Sequence, residues 1–171
     1  RLAGLGDIRH IGSGNIGATN VLRTGRRGLA AATLVLDAAK GAAALLIARH
    51  LGGEWLGLIA GYAALLGHLF PVWLGFAGGK GVATGLGLLL AAAWPVGAAC
   101  CLVWLIAAWL RGFSSAAALG AFTLAPLLAL AIAPWPVAAF ALAIAVPVSL
   151  RHRGNIARLL AGTEPRIGRR V

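Results

Sequence analysis

Residues 75–85 read GFAGGKGVATG, five glycines around a single lysine, Lys80. Such a loop can turn backbone amides and an ammonium group toward one point, which suits an anion. It is not a Walker A loop, which needs Gly-Lys-Ser/Thr after four spacer residues. Here Lys80 is followed by Gly81, and the hydroxyl of Thr84 comes four residues later. Lys80 can still neutralise a phosphate as a point charge. His68, upstream in the same stretch, has the chemistry of a base and equally that of a structural imidazole at a helix end.

Two further polar stretches carry chemistry. Residues 7–27 contain Gly12-x-Gly14-x-x-Gly17, with Asp37 twenty residues beyond the last glycine. The spacing matches a dinucleotide fingerprint, which requires a strand before it and a parallel sheet around it. No strand pattern precedes it here, and Asp37 falls in an apolar helix. What survives is the local physics. The glycines allow close backbone approach, Ser13, Asn15, Thr19 and Asn20 offer short hydrogen-bonding groups, and Arg23 offers a planar fork for phosphate. The competing reading is a polar capping loop with basic lipid anchors. In the third stretch His152 and Asn155 lie three apart beside Arg151, Arg153 and Arg158. Leu150, Ile156, Leu159 and Leu160 add a short apolar face, so an amphipathic helix on anionic lipid is the default. That default has no need of His152, Asn155 or Glu164. Asp37 and Lys40, three apart on one helix face, are either a structural ion pair or a support behind the first loop. Charges at membrane depth are costly and mark function or mutual pairing.

The elements that must position these groups are apolar. The chain has 171 residues, 60% of them hydrophobic and 11% charged, against about 25% charged in soluble domains; its mean hydropathy is +0.90. This is an all-α, polytopic transmembrane helix bundle, expected as one domain over 1–171. The net charge of +11 would suggest nucleic acid in a soluble chain, but the cations cluster at the ends of apolar spans. That is positive-inside topology and contact with anionic lipid, with no nucleic acid. Cys100 and Cys101 are adjacent in an apolar run, without metal spacing, and pack as small hydrophobes. The chain opens on Arg1 and contains no Met, so a preceding segment is expected.

Apolar segments span 28–48, 54–74, 81–110, 113–133 and 137–150. The third is long for one span of about 20 residues and holds Trp94-Pro95. Dividing it at Pro95 gives six crossings and places residues 1–27, Lys80, Arg111 and the tail from Arg151 on one side. Thirteen of the fifteen Lys and Arg then share that side, with Arg49 opposite and Lys40 inside a span. The Lys/Arg excess of cytoplasmic loops favours this count. It also gathers residues 7–27, 67–85 and 151–171 on one face.

Together, GSGNIGATNVLR with the later Asp37, Lys40 and Gly41, then GHLFPVWLGFAGGKGVAT, then RHRGNIARLLAGTE resemble three cytoplasmic motifs in order. They are those of the bacterial integral-membrane glycerol-3-phosphate acyltransferases that use acyl phosphate as donor. The family has seven transmembrane helices, one of them before the first motif, so the resemblance implies six here and a missing first helix. It implies transfer of an acyl group from acyl phosphate to the 1-hydroxyl of glycerol 3-phosphate, giving lysophosphatidic acid and inorganic phosphate at the bacterial inner membrane. The family's substrate positions correspond to Ser13, Arg23, Lys80, His152 and Asn155. The expected catalytic set is Lys80, His152 and Asn155. The expected binding set adds Ser13, Gly14, Asn15, Thr19, Asn20, Arg23, Gly78, Gly79, Gly81 and Thr84, and the supporting set is Asp37, Lys40, His68, Arg158 and Glu164. No cofactor or metal is implied. Expected partners are the two substrates, membrane lipids and the soluble enzyme that makes acyl phosphate. The departing phosphate is thought to take the proton in this family, which fits the lack of a nucleophile–base pair. His-x₄-Asp, the signature of other glycerolipid acyltransferases, is also lacking: His68 is followed by Trp73 and His10 by Asn15. The alternatives are a small transporter of an anionic solute and a lipid-binding anchor. A transporter should show paired half-repeats, which are not evident, and an anchor would need the arginines but not Lys80.

Overall fold

The computed structural model describes residues 7–10 and 14–168; Ser13 lies outside them. Among the described residues every regular element is helical, as expected. In order they are α1 (Ala18–Arg23), α2 (Arg27–Leu69), α3 (Val82–Ala92), α4 (Trp94–Arg111), α5 (Ser114–Ile132), α6 (Trp135–Arg151) and α7 (Arg153–Leu160). Single 3-10 turns occupy Ile8–His10 and Val72–Leu74.

α2 is two arms. At Gly52 (φ −148°, ψ 20°) and Gly53 (φ 83°, ψ −176°) the backbone leaves helical geometry. The second conformation is open essentially to glycine alone. The chain reverses there, so Gly57 packs on Arg49 and Gly61 on Leu45. The 43 residues of α2 therefore form an antiparallel hairpin, matching the two apolar segments read at 28–48 and 54–74.

The long run 81–110 divides at Ala93, not at Pro95. Ala93 is extended (φ −151°, ψ 102°), and Pro95 sits in the first turn of α4. A proline there loses no hydrogen bond, because the first amides of a helix have no intrahelical partner. The two short pieces are thus 82–92 and 94–111. α3 has 11 residues, about 16 Å at 1.5 Å per residue, against a hydrocarbon core of about 30 Å. Its end is closed by Arg49, which donates to Ala91 O (3.0 Å) and Ala92 O (3.2 Å) and to Glu54 Oε1 (2.8 Å).

The bundle is built with small residues inside. Ala117, Ala121, Ala125 and Ala129 form an i, i+4 ridge along α5 that is fully buried. Phe122 beside it lies on Gly85 of α3 together with Ile144 of α6. Leu34, Leu36, Leu105, Leu127 and Leu130 point outward. Small residues let helix backbones approach closely where lipid removes any hydrophobic drive between helices. By length and composition three helices can cross a membrane, the first of them containing α2, or up to four if α6 and α7, bent by 60°, count together. Length alone does not reach the six crossings expected, because α3 is short and the α2 hairpin counts once.

Candidate active site

The lysine loop is folded back on the helix that precedes it. After His68 and Leu69 the chain turns through Pro71 and returns, so that Gly78 N donates to Leu69 O (3.2 Å) and Gly79 N to His68 O (3.1 Å). A Cβ at Gly79 would overlap the His68 imidazole; only glycine fits the approach. From the other side Arg151, the last residue of α6, donates through Nη2 to Gly78 O (2.8 Å) and through Nε to Gly79 O (3.2 Å). Its guanidinium lies 5.5 Å over the Phe70 ring. The loop is held above and below, and Lys80 leaves it just before Gly81 and α3. Lys80 Nζ makes no hydrogen bond or ion pair among the described residues. Burial lowers its pKa to about 8, Glu164 acting against this and Arg158, Arg23 and Arg151 with it.

Among the described residues Glu164 is the one carboxylate that acts on Lys80 together with those cations. Its Oε1 accepts from Ser115 Oγ (2.7 Å) and Asn155 Nδ2 (2.6 Å), and its Oε2 from Arg158 Nε (2.7 Å). The side chain is 4% exposed. Burial raises its pKa, but the three donors and the Arg158 charge outweigh burial and leave it below the ordinary glutamate value. A carboxylate so engaged fixes Asn155 and Arg158 of α7 to the start of α5 and the C-terminal tail.

Arg23, on α1, is 6% exposed. It donates to Asn20 Oδ1 (3.3 Å) and reaches Pro165 O (3.5 Å), which are long contacts. Its Nε has no hydrogen-bond partner among the described residues. A buried guanidinium with weakly engaged donors is ready for an anion. His152, between α6 and α7, is 2% exposed, and its Nδ1 lies 2.7 Å from Val148 O. A carbonyl only accepts, so Nδ1 carries the hydrogen and Nε2 the lone pair of the neutral ring. Burial, with Lys80 adding to it, lowers the pKa of His152 despite the Val148 carbonyl and Glu164. The ring is therefore neutral at pH 7.

Lys80, Arg23, His152, Asn155, Arg158 and Glu164 thus converge from three sequence regions. Others of the expected set are in supporting positions. Asn15 Oδ1 accepts from Gly17 N (2.8 Å) ahead of α1, Thr19 Oγ1 pairs with Ser114 Oγ (3.1 Å), and Asn20 Nδ2 donates to Ile8 O (3.1 Å). Gly14 is left-handed in the same turn. Thr84 is fully buried in α3, its methyl against Gly41 and its hydroxyl without a hydrogen-bond partner among the described residues. Asp37, Lys40 and His68 form a separate cluster. Lys40 Nζ lies 2.6 Å from both Asp37 Oδ1 and His68 Nδ1. They stand behind the second loop, because the hairpin folds arm 54–69 onto arm 27–51, and Ile16 of the first loop lines the same opening. Sequence reading passed over Ser114 and Ser115 at the start of α5 and the clamp of Arg151. The available signal was two adjacent hydroxyls beside Gly112 and Arg111, on the side of the chain already assigned to the motifs.

A sequence profile described as "Glycerol-3-phosphate acyltransferase" matches residues 1–162. The glycerol-3-phosphate acyltransferase of Rhodospirillum rubrum is 60% identical, over 98% of this chain and 82% of its own length. That of Gluconobacter oxydans is 59% identical, over 97% and 82%. Two crystal structures of PlsY (YgiH), an integral membrane glycerol 3-phosphate acyltransferase, share the fold at 40% identity. The glycerol 3-phosphate form superposes with a TM-score of 0.91 over 98% of this chain and 84% of that one. The lysophosphatidic acid form gives 0.85 over 92% and 82%. With the motif residues gathered into one basic, buried cluster and relatives of this identity along nearly the whole chain, the protein belongs to the glycerol-3-phosphate acyltransferase family.

Proposed function

We propose that this chain transfers an acyl group from acyl phosphate to the 1-hydroxyl of glycerol 3-phosphate. It does so at the inner membrane, with residues 7–27, 67–85 and 151–168 on the cytoplasmic side of a six-crossing bundle. The hydroxyl oxygen forms a bond to the acyl carbon, the bond from that carbon to the phosphate oxygen breaks, and the hydroxyl proton leaves with the phosphate. Products are lysophosphatidic acid and inorganic phosphate. Both substrates carry a phosphate and no covalent enzyme intermediate is needed, so the protein's task is to hold two anions and orient one hydroxyl. The observation that carries the reading is the Lys80 ammonium, without a hydrogen-bond or ion-pair partner among the described residues, in the same cluster as the buried Arg23 fork. Cations without anionic partners of their own are kept where anions react. Neutral His152, with its lone pair at Nε2, can accept a hydrogen bond from the attacking hydroxyl, and Asn155 beside it is held by Glu164. Membrane lipids and the soluble enzyme that makes acyl phosphate are the partners this reading implies.

The test is phosphate release by the purified protein in detergent, with glycerol 3-phosphate and palmitoyl phosphate, and with palmitoyl-CoA as comparison donor. Release that needs both substrates, with none of the thioester consumed, is expected. Turnover of the thioester would refute the donor, and no turnover of either by folded protein would refute the activity.

A further inference from the structure

The Asp37, Lys40 and His68 cluster makes no side-chain hydrogen bond or ion pair with Arg23, Arg151 or Arg158 among the described residues, yet it is joined to Lys80 through the backbone. Lys40 Nζ lies 2.6 Å from Asp37 Oδ1 and 2.6 Å from His68 Nδ1. Because the ammonium only donates, His68 Nδ1 must accept and its Nε2 must carry the hydrogen. The edge of the ring with Nε2 lies against Gly79, where a Cβ would collide with it, and the His68 carbonyl accepts from Gly79 N. The imidazole is thus a plate beneath Gly79, and Lys40 fixes its rotation. A plain structural pair would need only Asp37 and Lys40, one turn apart on the same arm. This one reaches across the hairpin to a ring 28 residues away. The Lys40 side chain is half-exposed, in a cavity of about 380 Å³ whose lining includes Ile16, Asp37, His68, Pro71 and Trp73. The pairing therefore stands at the wall of an opening, with the His68 ring buried behind it.

We propose that Asp37, Lys40 and His68 are positioning residues for the reaction: they set the height and direction of Lys80 by holding Gly79 from below, opposite the Arg151 clamp. This rests on Lys80 being the phosphate-binding cation of the proposed acyl transfer. Displacing a reacting group by about 1 Å costs on the order of 10² in rate, so the loss should appear mainly in kcat.

The experiment compares the full chain in detergent with Lys40→Met and Lys40→Arg. It measures kcat and KM for glycerol 3-phosphate, and amide hydrogen exchange at Gly78 and Gly79. Lys40→Met should lower kcat by roughly 10- to 100-fold and speed exchange at both amides; Lys40→Arg, which keeps charge and donors, should recover part of both. Unchanged kcat per folded molecule, or lowered kcat with unchanged exchange at Gly78 and Gly79, overturns the proposal. If Lys40→Met does not fold, His68→Asn takes its place. It keeps an acceptor near Nδ1, removes the ring under Gly79, and should give the same two changes. Wild-type protein without acyl transfer would defeat the underlying function, while the exchange measurement would still report on the loop.

Discussion

Replacing Glu164 by Gln removes one charge at nearly constant shape. The glutamate accepts three hydrogen bonds, from Ser115, Asn155 and Arg158. Glutamine keeps one oxygen for Ser115 and Asn155 and turns an NH₂ group toward Arg158 Nε, where two donors meet. A hydrogen bond to a charged group contributes about 1.5–3 kcal/mol. Arg158 is 38% exposed, so water takes over part of its solvation and the lower end applies, ~1–2 kcal/mol. Glu164→Ala also strands the buried donors of Ser115 and Asn155, at ~1–3 kcal/mol each, for a total of ~3 kcal/mol or more. The melting temperature in detergent should therefore fall for Gln and further for Ala. Activity gives a second, independent readout. Lys80 titrates at about 8, and the Glu164 charge is the influence that holds it up against burial. Without that charge Lys80 loses its proton at lower pH, so the alkaline limb of kcat/KM should move acidward in Glu164→Gln. A variant with the wild-type alkaline limb and the wild-type melting temperature would refute the assignment of Glu164 as hub.

Two other outcomes follow from single residues. Lys80 should give the wild-type enzyme an alkaline limb near pH 8 in kcat/KM, absent from Lys80→Ala if any activity survives. Between about 8 and the ordinary lysine value of 10.5 the unfolded chain keeps this proton and the folded chain does not. Stability without substrate should therefore rise with pH across that window, and a urea or thermal titration with no such rise would refute the burial argument. Gly53→Ala forces a Cβ into φ 83°, ψ −176°, a strain of about 1–3 kcal/mol, and should lower the melting temperature while leaving KM unchanged in the fraction that folds.

The chemistry-bearing residues stood out in the sequence because they interrupt an apolar chain. Lys80, Arg23, His152 and Asn155 are polar types in stretches where lipid-facing helices have no use for them, and the fold brings all four together. What stayed hidden depended on direction or distance. Thr84 lies next to the lysine loop in sequence, but a helix turns successive side chains by about 100°, and this one points into Gly41. Ser115 reads as a turn residue at a helix start; its partner Glu164 comes 49 residues later, and no local pattern reaches that far. Pro95 marked the division of the long run but not its position, since proline signals the start of a helix as well as the end of one. The Asp37–Lys40 spacing was legible as a pair, and its second partner only once the Gly53 reversal set the arms side by side.

The clamp and tail contacts have a consequence for the order in which the molecule is made. The helices pack chiefly on sequence neighbours, α2 on itself and on α3, α4 on α5, α5 on α6, so the bundle can assemble piece by piece as the chain is synthesised. The residues that complete the proposed site arrive afterwards. Arg151 ties back to Gly78 and Gly79, Glu164 to Ser115, Pro165 to Arg23 and Ile167 N to Gly112 O. On the proposed site, a ribosome that has delivered every apolar helix through α6 has produced a membrane-embedded scaffold still without His152, Asn155 and Glu164. Catalytic competence is a late event of synthesis, separated in time from insertion, and a nascent chain stalled at that stage would occupy the bilayer without turning over substrate.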